Sequence, residues 1–232
     1  MPAAHPTMAQ IQGSQMILKD GMVHLYTPDM VSWWPFYEGE GTTTEDILGG
    51  NDGVISGATW SDGKVGNALN FDGVSSVTVP DSDLWDLGSG DFTINGWINT
   101  PTPAATMRFL SAGSEADGTI QLWSVGYGSH YNWGSGGRLN FVYFLETASY
   151  IDFNSNEIII QPDVWNHIAV VRSGSEILFY YNGQQVGVQT IGPVSLGGGS
   201  SGAIIGARYY NNSFDVIEYA NGLIDEVQLI KR

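Results

Sequence analysis

From Val31 to Arg232 apolar and polar residues alternate in short runs, and glycine, asparagine and aspartate punctuate the gaps. Phe92-Thr93-Ile94-Asn95-Gly96-Trp97-Ile98 has the period of two that sends successive side chains to opposite faces of a strand. Leu69-Asn70-Phe71 and Val77-Thr78-Val79 repeat it on either side of Asp72-Gly73, and Arg138 to Leu145 and Ile158 to Ile160 extend the series. His167 to Arg172 and Ile177 to Tyr181 predict a strand pair, the second turning at Asn182-Gly183 into Gln184 to Val188. Gly197 to Gly202 reads as a loop ahead of the short strand Ala203 to Gly206. Strands at this spacing, with turn residues between them, predict two packed antiparallel sheets in one domain.

The first thirty residues follow a different pattern. Met1 to Gly13 are small and polar and read as an arm. Gln15 to Leu18 and Met22 to Tyr26 flank Lys19-Asp20-Gly21, and an Asp-Gly pair between apolar runs is a hairpin signal. The chain therefore divides into a docking arm and hairpin over 1–30 and a β-sandwich over 31–232.

Composition agrees with many short strands and tight turns: 31 of 232 residues are glycine, 12% are aromatic and 14% charged. The net charge of −16 leaves eight scattered basic residues and no stripe to follow a phosphate backbone, which excludes nucleic acid as a partner. No run approaches the roughly 20 apolar residues of a membrane helix, and Met1 to Thr7 lacks the basic start and apolar stretch of a secretion signal. The absence of cysteine points to a bacterial, viral or intracellular origin.

Six segments recur in order across one family. They are Val31-Ser32-Trp33-Trp34-Pro35-Phe36, Gly63 to Gly73, Asp91 to Ile98, Val164 to Val171, Leu178 to Gly183 and Asn221-Gly222-Leu223-Ile224-Asp225-Glu226-Val227. Together they resemble the laminin G-like, concanavalin A-like lectin/glucanase jelly rolls. The resemblance implies an all-β, two-sheet antiparallel jelly-roll sandwich in which Val31 to Phe36 pairs with Leu223 to Ile230, bringing the arm close to Arg232. It places Trp34, Trp97 and Trp165 in the core, with His167 as a satisfied core histidine. It also implies a structural calcium where an early loop, an Asp-Gly turn and the final Asp-Glu strand meet. The candidate ligands are Asp46, Asn51, Asp72 and Asp225, oxygen donors of the kind a hard cation needs, although the same residues suit plain turn chemistry.

Aromatic rings set among glycine, serine and asparagine between Trp123 and Gly137 read as a loop able to stack on sugars. Trp123, Tyr127, His130, Tyr131 and Trp133 are its candidate glycan contacts, joined by Tyr209 and Tyr210; the alternative is that these rings pack under their own loops or at an oligomer interface. Catalysis has little support, because Glu115-Ala116-Asp117 lacks the third acid of a glycosidase strand motif and the four histidines, His5, His24, His130 and His167, are isolated from any serine or cysteine nucleophile pattern. The expected function is a non-catalytic recognition and structural module on a virion surface, a phage decoration, fibre or tail protein, docking on capsid subunits through the arm and forming a homo-oligomer. The alternatives are a free bacterial lectin or adhesion module at the cell surface or outside it, and, least favoured, a glycan-cleaving enzyme.

Overall fold

The computed structural model describes residues 15–19, 22–102, 106–113, 122–128, 137–146, 149–156, 158, 160–197, 202–210 and 215–232. Strands β1 (Gln15–Lys19) and β2 (Met22–Tyr26) form the expected hairpin, Lys19 opposite Met22, as a separate two-stranded sheet. Next come β3 (Met30–Trp34), β4 (Thr43–Thr44), β5 (Gly53–Ser56), β6 (Thr59–Asp62), β7 (Asn67–Asp72) and β8 (Ser76–Val79). A single 3-10 turn, Asp83–Trp85, precedes β9 (Phe92–Asn99), β10 (Met107–Ala112), β11 (Leu122–Tyr127), β12 (Leu139–Glu146) and β13 (Ser149–Asn154). The series ends with β14 (Asn166–Ser173), β15 (Glu176–Tyr181), β16 (Gln184–Thr190), β17 (Ala203–Ile205), β18 (Arg208–Tyr210), β19 (Asp215–Ile217) and β20 (Asn221–Lys231).

Two eight-stranded sheets face each other. The first runs β13-β12-β11-β10-β17-β8-β5-β4, the second β16-β15-β14-β9-β20-β7-β6 with β3 also paired to β20. Alternation decides what lies between them. On β9, Phe92, Ile94 and Ile98 turn inward and are buried, while Thr93, Asn95, Trp97 and Asn99 turn outward and are half-exposed. Inward residues of both sheets, among them Leu69, Phe71, Phe109, Phe141, Val170, Phe179 and Leu229, merge into one apolar cluster, with Trp34 stacked on Trp85 at 5.9 Å. The Asp72-Gly73 turn closes no hairpin; it carries the chain from β7 in the second sheet to β8 in the first.

As expected, the first and last strands of the sandwich pair, Trp34 opposite Val227 and Ser32 opposite Leu229. Met30 already lies in β3, and Asp29 accepts the Lys231 amide at 2.8 Å and the Arg232 guanidinium at 3.0 Å, so the sandwich begins two residues before Val31.

Strand β20 is the hinge of the second sheet. One edge follows β9; the other pairs with β7 through Asn221–Ile224 and then with β3 from Val227 onward. At the change of partner the register against β9 slips: Asp225 opposes Trp97 and Gln228 opposes Asn95, so Glu226 and Val227 share Gly96. Two residues facing one make a β-bulge, and Glu226 takes the left-handed backbone at φ 54. A Cβ on Gly96 would stand 2.9 Å from the Glu226 carbonyl and 2.5 Å from the Phe109 ring, so only glycine fits opposite the bulge.

Candidate functional site

The bulge turns both acids of the Asp225-Glu226 pair into the protein. Asp225 Oδ2 accepts the backbone amides of Lys64 at 2.7 Å and Val65 at 3.0 Å, from the turn between β6 and β7. Its Oδ1 is buried with no partner. Burial drives the Asp225 carboxyl up to about 7, the two amides oppose that, and the Glu226 charge adds to it. Glu226 accepts the Trp33 indole N–H at 2.6 Å and the Tyr37 hydroxyl at 2.8 Å; burial raises its pKa, and burial together with Glu226 raises that of the Tyr37 phenol. The pair is enclosed by the elements it joins. Its work is to close the gap where β20 exchanges β7 for β3.

The four proposed calcium ligands do not form one site. Asp46 Oδ1 accepts the amides of Trp33, Leu48 and Gly49 at 2.8, 3.3 and 2.9 Å, and Oδ2 accepts the Asn51 amide and side chain at 3.4 and 3.2 Å. Asp72 is exposed and caps its own turn; hydrogen bonding from the Ser75 side chain, and then from the Val74 amide at 3.1 Å, holds its carboxyl below the usual range. Asp225 is enclosed as described. Among the described residues no three acidic or histidine side chains come together as a cation site. At Asp46, turn and capping chemistry uses both of the carboxylate oxygens that a calcium ion would require.

The aromatic expectations divide. Trp123 and Tyr127 are not in a loop: both lie on β11 and are buried, and the Trp123 indole donates to the Trp85 carbonyl at 2.8 Å. Polar neighbours suggested a loop there because Ser124 and Gly126 face the other side of the strand, where Ser124 meets Ser111 at 2.7 Å. His130, Tyr131 and Trp133 lie outside the described residues, as does Glu115-Ala116-Asp117. Tyr209 is half-buried on β18, where burial raises its phenol, and Tyr210 follows it on the same strand. Of the tryptophans assigned to the core, Trp34 is buried there, Trp165 is half-buried, and Trp97 faces outward. His167 is its neighbour on that outer face, edge-on at 5.1 Å, with burial lowering its pKa.

The outer faces of the two sheets differ. On the first, Arg108, Ser111, Ser124, Asn140 and Ile204 are fully buried, and Glu218 beyond β19 joins Arg108 to Arg208 in one ionic cluster. Over β10, β11, β12 and β17 that face is covered, while Val54 on β5 is exposed. The second sheet's outer face carries an open groove of about 330 Å³ lined by Ser61, Asn70, Asn99, Asp163, Asn221 and Leu223. Asn70, Leu223 and Asn99 form one row across β7, β20 and β9. Trp97 is the next outward residue on β9, roughly 7 Å along the strand from Asn99.

Lys64 Nζ stands 4.4 Å from the Trp97 ring centroid. Asn51, Asn67, Asn95, Asn140, Asn154, Asn166 and Asn182 all make side-chain hydrogen bonds, whereas none is found for Asn70, Asn99 or Asn221. The groove residues were missed from sequence because they are scattered along the chain. Their one signal is asparagine at outward strand positions, where that residue is disfavoured unless it has a task.

A family model described as the concanavalin A-like lectin/glucanase superfamily, laminin G type, matches residues 71–232, and the chain belongs to that family. No curated protein sequence matches the chain. Among solved structures, domain 4 of an extracellular arabinanase from Geobacillus stearothermophilus, in complex with arabinotriose, is similar at a TM-score of 0.64 and 16% identity over 88% of this chain and 92% of that one. The binding domain of Paraclostridial Mosquitocidal Protein 1 superposes at 0.61 and 16% identity over 88% of this chain and 49% of its own. Trypanosoma rangeli sialidase in complex with sialic acid superposes at 0.55 and 16% identity, over 88% of this chain and 31% of its own.

Proposed function

We propose that this concanavalin A-like domain is a non-catalytic saccharide-recognition module and that it binds through the outer face of its second sheet. The observation that carries this is the open groove in which Asn70, Asn99, Asn221, Ser61 and Asp163 present side chains with no hydrogen bond inside the protein, next to an outward Trp97. Amides and a carboxylate supply donors and acceptors for sugar hydroxyls, and an indole supplies a stacking surface for the apolar face of a ring. Lys64 covers that indole through a contact worth about 0.5–1 kcal/mol at an exposed site, weak enough for a stacking ring to displace. The arabinotriose complex of the similar arabinanase domain supports the same ligand class. Catalysis has no matching support, since Asp225 and Glu226, the acids with raised pKa, are enclosed by Trp33, Tyr37 and the Lys64 turn.

The test is a broad oligosaccharide array followed by calorimetry, with Asn99→Ala and Trp97→Ala as controls. Binding lost in both variants while each still folds supports the assignment, and an array without a hit overturns it.

The finer placement we propose is on the surface of a particle such as a virion, held by the hairpin β1–β2. Met16 and Leu25 on that hairpin are exposed at 60% and 49%, and two-stranded hairpins are marginal alone in water, so apolar side chains there call for a neighbouring subunit. Deleting residues 1–26 should leave Tm unchanged and abolish assembly; normal assembly of the deletion refutes the placement.

A further inference from the structure

The chain holds eight lysines and arginines against 24 acidic residues, and the structure shows where the cations go. Arg108 and Arg208 share Glu218, and Arg172 is spent on the carbonyls of Gly88, Gly174 and Val194. Arg138 bonds the Ser155 carbonyl, Lys231 the carbonyls of Leu84 and Asp86, and Arg232 the Asp29 carboxylate. Lys64 lies over Trp97. The eighth, Lys19, lies on β1 and is not among the residues lining the groove. No lysine or arginine lines the groove, and Asp163 does. His167, beside Trp97, is held toward its neutral form by burial.

We infer that the groove selects neutral saccharides with free vicinal hydroxyls and rejects those bearing a carboxylate, sulfate or phosphate, an inference that rests on the saccharide-binding assignment above. A hydroxyl pair can donate to the Asp163 carboxylate while accepting from an asparagine amide. An anionic sugar would instead bring a like charge against Asp163, with Lys64 over the Trp97 ring and not among the residues lining the groove, on a protein of net charge −16 that repels it from a distance. Sugar carboxylates and phosphates are ordinarily met by arginine forks, and the forks here are already engaged.

Calorimetry on the full chain would compare arabinotriose, xylotriose, mannotriose, cellotriose and lactose with 3′-sialyllactose, sulfated lactose and trigalacturonic acid. The tightest ligand should be neutral, the anionic set at least about tenfold weaker, with little change between about 50 and 500 mM salt. Asp163→Asn should narrow the gap between lactose and 3′-sialyllactose; Asp163 sits at φ 56, a conformation asparagine tolerates, so the variant should fold. An anionic sugar as the tightest ligand, or affinity that falls steeply with salt, overturns the selectivity and leaves saccharide binding intact. Failure of every sugar overturns both.

Discussion

The indole N–H of Trp33 meets the Glu226 carboxylate at 2.6 Å across 193 residues of sequence. Trp33 lies on the first strand of the sandwich and Glu226 at the bulge of the last, so the contact fastens the two ends of the domain to each other. The Trp33 backbone amide is in turn held by Asp46 at 2.8 Å, which ties the early loop to the same place. Three sequence-distant segments thus converge on one tryptophan.

Trp33→Phe keeps most of the buried ring and removes the donor from Glu226. The expected cost is about 1–3 kcal/mol, the penalty for weakening a buried hydrogen bond to a charged group. Urea unfolding measures it; a loss below about 0.5 kcal/mol would show that Tyr37 alone satisfies Glu226.

Asp225 makes stability depend on pH in a definite direction. Its carboxyl is raised to about 7 in the fold against roughly 3.9 in an unfolded chain, so between those values the folded state keeps a proton that the unfolded state has lost. Its contribution is present at acid pH and fades as pH rises from about 4 to 7, after which it is constant. Thermal melts of wild type and Asp225→Asn across that range should diverge, the variant lacking this part of the slope. Parallel curves would show that the Asp225 carboxyl ionises alike in both states.

Two tryptophans separate packing from recognition. Trp123→Ala opens the core and should cost about 3–5 kcal/mol, whereas Trp97→Ala removes an outward ring, with a smaller loss of stability and a large loss of saccharide affinity. Denaturant melts paired with calorimetry distinguish them. Equal destabilisation by the two changes would assign Trp97 to structure.

Divalent-cation removal should leave Tm unchanged, since Asp46 and Asp225 already accept amide donors and Asp72 lies exposed at its turn. A fall in Tm with a chelator, reversed by calcium and abolished by Asp46→Asn, would restore a cation to the early loop.

The β14–β15–β16 meander, the pairing of β1 with β2 and the pairing of the first and last strands of the sandwich were all legible in the sequence. Periodicity and turn residues are local signals, and the six family segments supply the long-range order. What the chain alone could not reveal is which face of a strand meets another layer. Trp123 and Trp97 both sit among polar residues, yet one is sealed in the core and the other faces out, because the direction of the alternation is set only when the sheets stack. The acidic residues behave likewise. Asp46, Asp72 and Asp225 look equivalent in sequence, but tertiary structure gives the first to a loop of amides, the second to solvent and the third to a bulge that Gly96 alone can accommodate. The groove is the extreme case. Asn70, Asn99, Asp163 and Asn221 share no motif, and only the pairing of β7, β20 and β9 brings them to one surface, since a sheet joins in space what lies far apart along the chain.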